Sequence, residues 1–179
     1  ALSERDFDND GTLNVFESTS PSLVSCTVGK YGFYMCVDAP LGKYVPSPGS
    51  RYATDASAGY FVSSTGQTSQ NACAAGTYQA ADGQSSCDNA SAGYYVDPNL
   101  GTGQSSQTAC LAGTYNPNAG STSPSACGNA DAGYYVSSTG QSTQTACLAG
   151  TYNPNTGSTS SSACGNADAG YYVPTTGQS

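Results

Sequence analysis

A unit of about 17 to 20 residues, 13 in its first copy, recurs nine times from Gly29 onward, each copy opening on glycine with an aromatic two residues later. A repeat this short cannot bury a core of its own. Each unit must lean mainly on its neighbours, so the chain is expected to form a quasi-linear ladder rather than a pocketed globule. The opening glycines are Gly29, Gly42, Gly59, Gly76, Gly93, Gly113, Gly133, Gly150 and Gly170, and the aromatics run from Tyr31 to Tyr172. From Gly42 onward a second glycine follows seven residues after the first. The exception is Gly93, which waits ten because Asp97-Pro98-Asn99-Leu100 opens an insertion between turn residues, where extra length is tolerated.

Two kinds of unit alternate. One reads Ala-Gly-Thr-Tyr (Ala75 to Tyr78, Ala112 to Tyr115, Ala149 to Tyr152), the other Ala-Gly-Tyr-Tyr-Val or a close variant (Ala58 to Val62, Ala92 to Val96, Ala132 to Val136, Ala169 to Val173). The remainder is Ser, Thr, Gln, Asn and Pro. That composition predicts strands of about three to five residues joined by tight turns, with no helical periodicity. The expected fold class is small, disulfide-rich, mostly β or irregular: an elongated tandem-repeat ladder of short hairpins without a large core.

Cysteines follow the same alternation. Cys26, Cys73, Cys110 and Cys147 stand three residues before a Thr-Tyr type glycine or its counterpart Gly29, and Cys36, Cys87, Cys127 and Cys164 stand six residues before a Tyr-Val type glycine. Spacing alone leaves 105 connectivities open. An irregularity narrows them. Two Tyr-Val type units, at Gly42 and Gly59, follow one another directly, and both cysteines that would flank the missing Thr-Tyr unit are gone, with Ala53 in the place of one. Loss in pairs points to bonding in pairs: Cys26 with Cys36, Cys73 with Cys87, Cys110 with Cys127, and Cys147 with Cys164. Each such bridge is worth on the order of 3 kcal/mol in the chain-entropy model, enough in sum to offset a weak core.

The core is weak by composition. There is no Trp and one Met, and the 37% apolar share comes largely from Ala, Val, Tyr and Cys, so the tyrosines are expected to form the interior, packing on disulfides or on one another. Eight cysteines with 9% charged residues belong to an oxidising, extracellular or cell-surface setting. No CxxC pair and no His are present, which argues against zinc. The net charge of -8 argues against nucleic acid and anionic membrane as partners. No signal peptide and no long apolar stretch occur, so the chain is expected to be a secreted chain after signal removal or a fragment of a longer precursor, with no direct membrane insertion.

Acid is concentrated at the start. Residues 1–25 read as a separate N-terminal segment and residues 26–179 as the tandem repeats. Within the first, Asp6-Phe7-Asp8-Asn9-Asp10-Gly11-Thr12-Leu13-Asn14-Val15-Phe16-Glu17 resembles the EF-hand calcium loop at every position. The resemblance implies Ca²⁺ held by carboxylates of Asp6, Asp8 and Asp10, the carbonyl of Thr12, Asn14 directly or through water, and both oxygens of Glu17, with Gly11 at the bend. The alternative is a solvated acidic turn. The flanks depart from the family: Ala1 to Arg5 give little more than one helical turn, Ser18-Thr19-Ser20-Pro21 is poor helix material, and no second loop pairs with this one. A static clip is expected rather than a sensor.

The frame Cys73-Ala74-Ala75-Gly76-Thr77-Tyr78 up to Cys87, repeated from Cys110 to Cys127 and from Cys147 to Cys164, resembles the cysteine-rich repeats of ephrin-receptor-like and tumour-necrosis-factor-receptor-like ectodomains. That resemblance implies loops closed by their own two cysteines and modules stacked end to end. The receptors' further cysteines between loops are absent here, so their ligand binding does not carry over.

An enzyme is not expected: Arg5, Lys30, Lys43 and Arg51 are the only bases, and no nucleophile and base constellation or phosphate-cradling loop occurs. The Gly-Gln-Ser/Thr runs at Gly66, Gly83 and Gly140 read as turn chemistry. Asn89-Ala90-Ser91 is an N-glycosylation sequon, and the Ser158 to Ser162 stretch is open to O-linked sugar. The function expected is a structural subunit of an extracellular filament or appendage, clipped by calcium. Ser179 falls inside a Tyr-Val unit, and docking of that unit on another copy would give a heterologous, open-ended polymer. The alternative is an adhesin or receptor-like stalk that binds a protein or glycan partner. It accounts less well for the near-identity of Thr114 to Gly120 and Thr151 to Gly157, which differ at one position.

Overall fold

The structure, a computed structural model, describes residues 24–179, so the calcium loop of Asp6 to Glu17 lies outside the described residues. Each unit begins three residues before its opening glycine and forms one antiparallel hairpin. In chain order the pairs are β1 (Lys30–Tyr31) with β2 (Val37–Asp38), β3 (Lys43–Tyr44) with β4 (Thr54–Asp55), and β5 (Tyr60–Phe61) with β6 (Asn71–Ala72). They continue as β7 (Thr77–Tyr78) with β8 (Asp88–Asn89), β9 (Tyr94–Tyr95) with β10 (Thr108–Ala109), and β11 (Thr114–Tyr115) with β12 (Gly128–Asn129). The last are β13 (Tyr134–Tyr135) with β14 (Thr145–Ala146) and β15 (Thr151–Tyr152) with β16 (Gly165–Asn166). A ninth unit, from Ala167, supplies only its first half. Short 3₁₀ turns at Pro98–Leu100, Pro124–Ala126 and Ser161–Ala163 are the helical content of the described residues.

Strands are two residues long, not the three to five expected, because the chain changes partner after the aromatic. The residue three places after the opening glycine donates its NH to the next unit instead of its own return strand, as Val45 does to the Gln67 carbonyl at 2.9 Å. Each hairpin starts from a four-residue turn whose third residue is the opening glycine, closed by bonds such as Thr114 NH to Leu111 carbonyl, 3.0 Å. The positive φ of that turn, 76 to 91° across the nine units, is a conformation that residues with a Cβ rarely adopt.

The two kinds of unit differ in how their open end is stapled. Thr-Tyr units are stapled by cystine: the bridges are Cys26 to Cys36, Cys73 to Cys87, Cys110 to Cys127 and Cys147 to Cys164, the pairs to which the missing unit pointed, and no cysteine is free. The Tyr-Val units opening at Gly59, Gly93 and Gly133 are stapled by glutamine, whereas the one at Gly42 has Ala53 in that place. Gln70, Gln107 and Gln144 each accept, through Oε1, the turn NH of Ser57, Ser91 and Asp131 at 2.7, 2.6 and 2.7 Å. In the Thr-Tyr units the threonine hydroxyl tightens the turn further, Thr114 and Thr151 donating back to the carbonyls of Leu111 and Leu148.

Units join through backbone. The opening glycine of one unit donates to the carbonyl three places after the next opening glycine (Gly113 to Val136), and its own carbonyl accepts from the first residue of that next unit (Ala130 to Gly113). The residue three places after the glycine donates beyond the next unit's second glycine (Asn116 to Gln141), and that second glycine donates back to the first residue of the earlier unit (Gly140 to Cys110). Seven of the eight junctions carry all four bonds. The junction from the fourth unit to the fifth carries three, and the fifth is the unit enlarged by the insertion after Asp97.

The core follows from this scaffold and corrects the expected tyrosine interior. Two columns are buried. One is the first residue of each unit, always small: Cys26, Ala39, Ala56, Cys73, Ala90, Cys110, Ala130 and Cys147, all at most 1% exposed. The other lies three residues after the glycine, where Val45, Val62, Val96 and Val136 alternate with Gln79, Asn116 and Asn153. Four-bond junctions bring backbones too close for rings between them, so the strand aromatics, Tyr31 through Tyr152, sit half-buried on the flanks. The ring pairs of the described residues are confined to Phe33 with Tyr34 and Tyr52 in the first two units.

Contact also reaches past the neighbour. A Cβ on each opening glycine from Gly29 to Gly133 would run into the carbonyl of the second glycine two units further on, Gly29 meeting Gly66 and Gly113 meeting Gly157. Units two apart therefore touch directly, and the array is more tightly wound than a nearest-neighbour stack.

Candidate assembly surface

Asn89 is exposed on β8 opposite Thr77, with its side chain at the second glycine of the sixth unit, Gly120. The sequon is thus on the surface, although Ala90 at its centre is fully buried. The Gly-Gln-Ser/Thr runs turn out to be the junction itself. The NH of Gly66, Gly83 and Gly140 and the carbonyls of Gln67, Gln84 and Gln141 all bond to the preceding unit.

Sequence reasoning missed the buried amides. Asn116 Nδ2 donates to the Tyr94 carbonyl of the preceding unit at 3.0 Å and to Ser121 Oγ at 2.9 Å, while its Oδ1 accepts from Asn118 NH at 3.1 Å. Asn153 repeats the set with Tyr134, Ser158 and Asn155. Gln79 is satisfied within its own unit by Ser86 and Ala81. The readable signal was Asn or Gln standing where the other kind of unit has Val.

Charge is arranged unevenly. Lys30 pairs with Asp38 at 2.7 Å and Lys43 with Asp55 at 2.6 Å, both half-exposed and so worth little to stability. Arg51 lies over the Phe33 ring, 5.0 Å from its centroid, at the same end. From Cys110 to Asn166 the sole charged residue is Asp131.

Two surfaces stand out. The ninth unit, with no further unit after it in this sequence, leaves uncovered the face that inner units bury. Tyr171 and Tyr172 are 79% and 84% exposed, whereas their counterparts Tyr134 and Tyr135 are half-buried. The NH groups of Gly170 and Val173 and the carbonyls of Ala167 and Gly170 make none of the junction bonds that their counterparts make. A cavity of about 320 Å³ opens there, lined among others by Tyr152, Ala167, Tyr172 and Val173.

The second surface is a pair of matching grooves on the flank. One, of about 160 Å³, is lined by Tyr95, Ala109, Cys110, Leu111, Thr114 and Cys127 with Pro124. The other, of about 210 Å³, is lined by Tyr135, Ala146, Cys147, Leu148, Thr151 and Cys164 with Thr145 and Ser161. Here a strand tyrosine does sit beside a disulfide.

These features define a tandem array of cystine- and glutamine-stapled hairpins, a small disulfide-rich repeat protein of an oxidising compartment. No protein-family model matches the chain, and no curated protein matches it as a relative. Among the described residues no helix is long and apolar enough to cross a membrane.

Proposed function

We propose that the chain is a structural subunit of an extracellular filament or cell-surface appendage, built by end-to-end stacking of its units. The observation that carries this reading is the junction. Seven of the eight steps along the chain use the same four bonds and the eighth uses three of them, and the two faces of each unit are different. One donates from its opening glycine and accepts on its first residue, and the other supplies the complementary groups. Such a contact is heterologous, and repetition of it extends a fibre instead of closing a ring. The face that donates and the face that accepts are complementary, so a unit of one copy can dock on a unit of another through the contact that joins neighbours within the chain. Negative-stain images of native material are expected to contain long, unbranched filaments. Only dispersed short rods would refute the reading.

Calcium belongs to the same proposal. The chemistry of the set is right for a hard cation, since Asp6, Asp8, Asp10, Asn14, Glu17 and the Thr12 carbonyl offer only oxygen. A loop without a pairing partner suits a weak extracellular clip of sub-millimolar to millimolar affinity, as such modules have. Titration calorimetry of the whole chain should detect that uptake, with Glu17→Gln weakening it at least tenfold. A flat titration at millimolar Ca²⁺ removes the claim. Sugar at Asn89 is proposed on the exposure of its side chain, and an intact mass equal to the 18.0 kDa sequence mass would dismiss it.

A further inference from the structure

We infer that the two flank grooves are a lateral contact surface through which two copies of this chain lie side by side, the Leu111 and Leu148 side chains of each entering the grooves of the other. The inference rests on the filament reading only in that contacts too small to hold two chains add up along a fibre.

The grooves are the same object built twice. Each joins a strand aromatic (Tyr95, Tyr135) to the cystine of the following unit and to the threonine of its turn, and each has one leucine at its rim. Those leucines, Leu111 and Leu148, are 72% and 73% exposed on the first residue of a tight turn, where nothing in the fold needs a large apolar side chain. The equivalent turn of the fourth unit carries Ala74 and is built equally well. The two sites recur two units apart, and the units bearing them, sixth and eighth, touch directly where Gly113 meets Gly157.

A partner that covers both sites must therefore repeat with the same spacing, and must bring an apolar projection to each groove and an apolar hollow to each leucine. A second copy meets all three conditions. Two chains of net charge -8 repel, which confines close approach to a neutral surface. The grooves have no charged lining residue, and apart from Tyr95 and Ala109 their linings fall in the stretch from Cys110 to Asn166 whose sole charge is Asp131. Two leucines a side bury much less than a stable pair requires, so single chains should associate weakly and fibres strongly.

The test compares the wild-type chain with Leu111→Ser/Leu148→Ser and with Leu100→Ser, an exposed leucine outside the grooves, as control. Non-reducing peptide maps verify that all four bridges form in each. Sedimentation velocity is expected to show concentration-dependent association of wild type and control, weakened roughly tenfold or more in the double variant. In electron micrographs the double variant should give single filaments of unchanged length where wild type gives bundles. Ala74→Leu, which adds a third projection, should strengthen association. Equal association of wild type and double variant, or monomers throughout, overturns the inference. So does loss of filament length in the double variant, which would place the leucines in the end-to-end joint. Binding of soluble polysaccharide by monomeric wild type and not by the variant would also overturn it, marking the grooves as a glycan surface. Absence of filaments with leucine-dependent pairing intact would instead sink the filament reading alone.

Discussion

A methyl group on Gly113 has nowhere to go. Its φ is +86°, and a Cβ there would lie 2.5 Å from the carbonyl oxygen of Gly157 two units away. Gly101, in the insertion of the fifth unit, has a comparable φ of +95° with nothing within 4 Å of its Cβ position. Gly101→Ala should therefore cost only the conformational strain, about 1–3 kcal/mol, and Gly113→Ala distinctly more, a difference that urea unfolding of the two variants will read directly. At the buried amides the question is satisfaction rather than space. Asn116→Leu removes three hydrogen bonds and leaves the Tyr94 carbonyl without its side-chain donor, for an expected loss of about 1–3 kcal/mol. A variant as stable as wild type would show that the amide is replaceable by an apolar side chain.

At the level of the hairpin, two chemistries do one job. The cystine of a Thr-Tyr unit and the glutamine of a Tyr-Val unit both tie the open end of the loop to the turn that begins it. They differ in strength. Removing the bridge with Cys110→Ala/Cys127→Ala, at a sequence separation of 17, should cost about 3 kcal/mol, whereas Gln107→Ala should cost about 1 kcal/mol. Hydrogen exchange is the suitable measurement, because a broken staple in a ladder opens its own unit and the adjoining junctions first, leaving remote units protected. Uniform loss of protection across all units would mean the array unfolds as one body.

For the molecule as a whole, position along the array sets the value of a side chain. Tyr135 and Tyr172 occupy the same place in their units, yet one is half-buried and the other 84% exposed. Tyr172→Ser should change stability by no more than about 0.5 kcal/mol, against about 1–3 kcal/mol for Tyr135→Ser.

Much of this was legible in the sequence, because the constraints were local or periodic. Glycine at fixed intervals announced positive-φ turns, alternating cysteines announced the staples, and a missing unit revealed which cysteines pair. The oxygen-rich loop of Asp6 to Glu17 lies outside the described residues and is a reading of the sequence alone. What the tertiary structure alone decided is everything set by how closely units approach. Strands stop at two residues because their backbone turns outward to bond the next unit. Ala, Cys, Val and Asn fill the core in place of tyrosine because four backbone bonds per junction leave no room for rings. Second glycines exist to be met from two units away, a contact to which no period in the chain assigns a partner until the winding of the array is fixed.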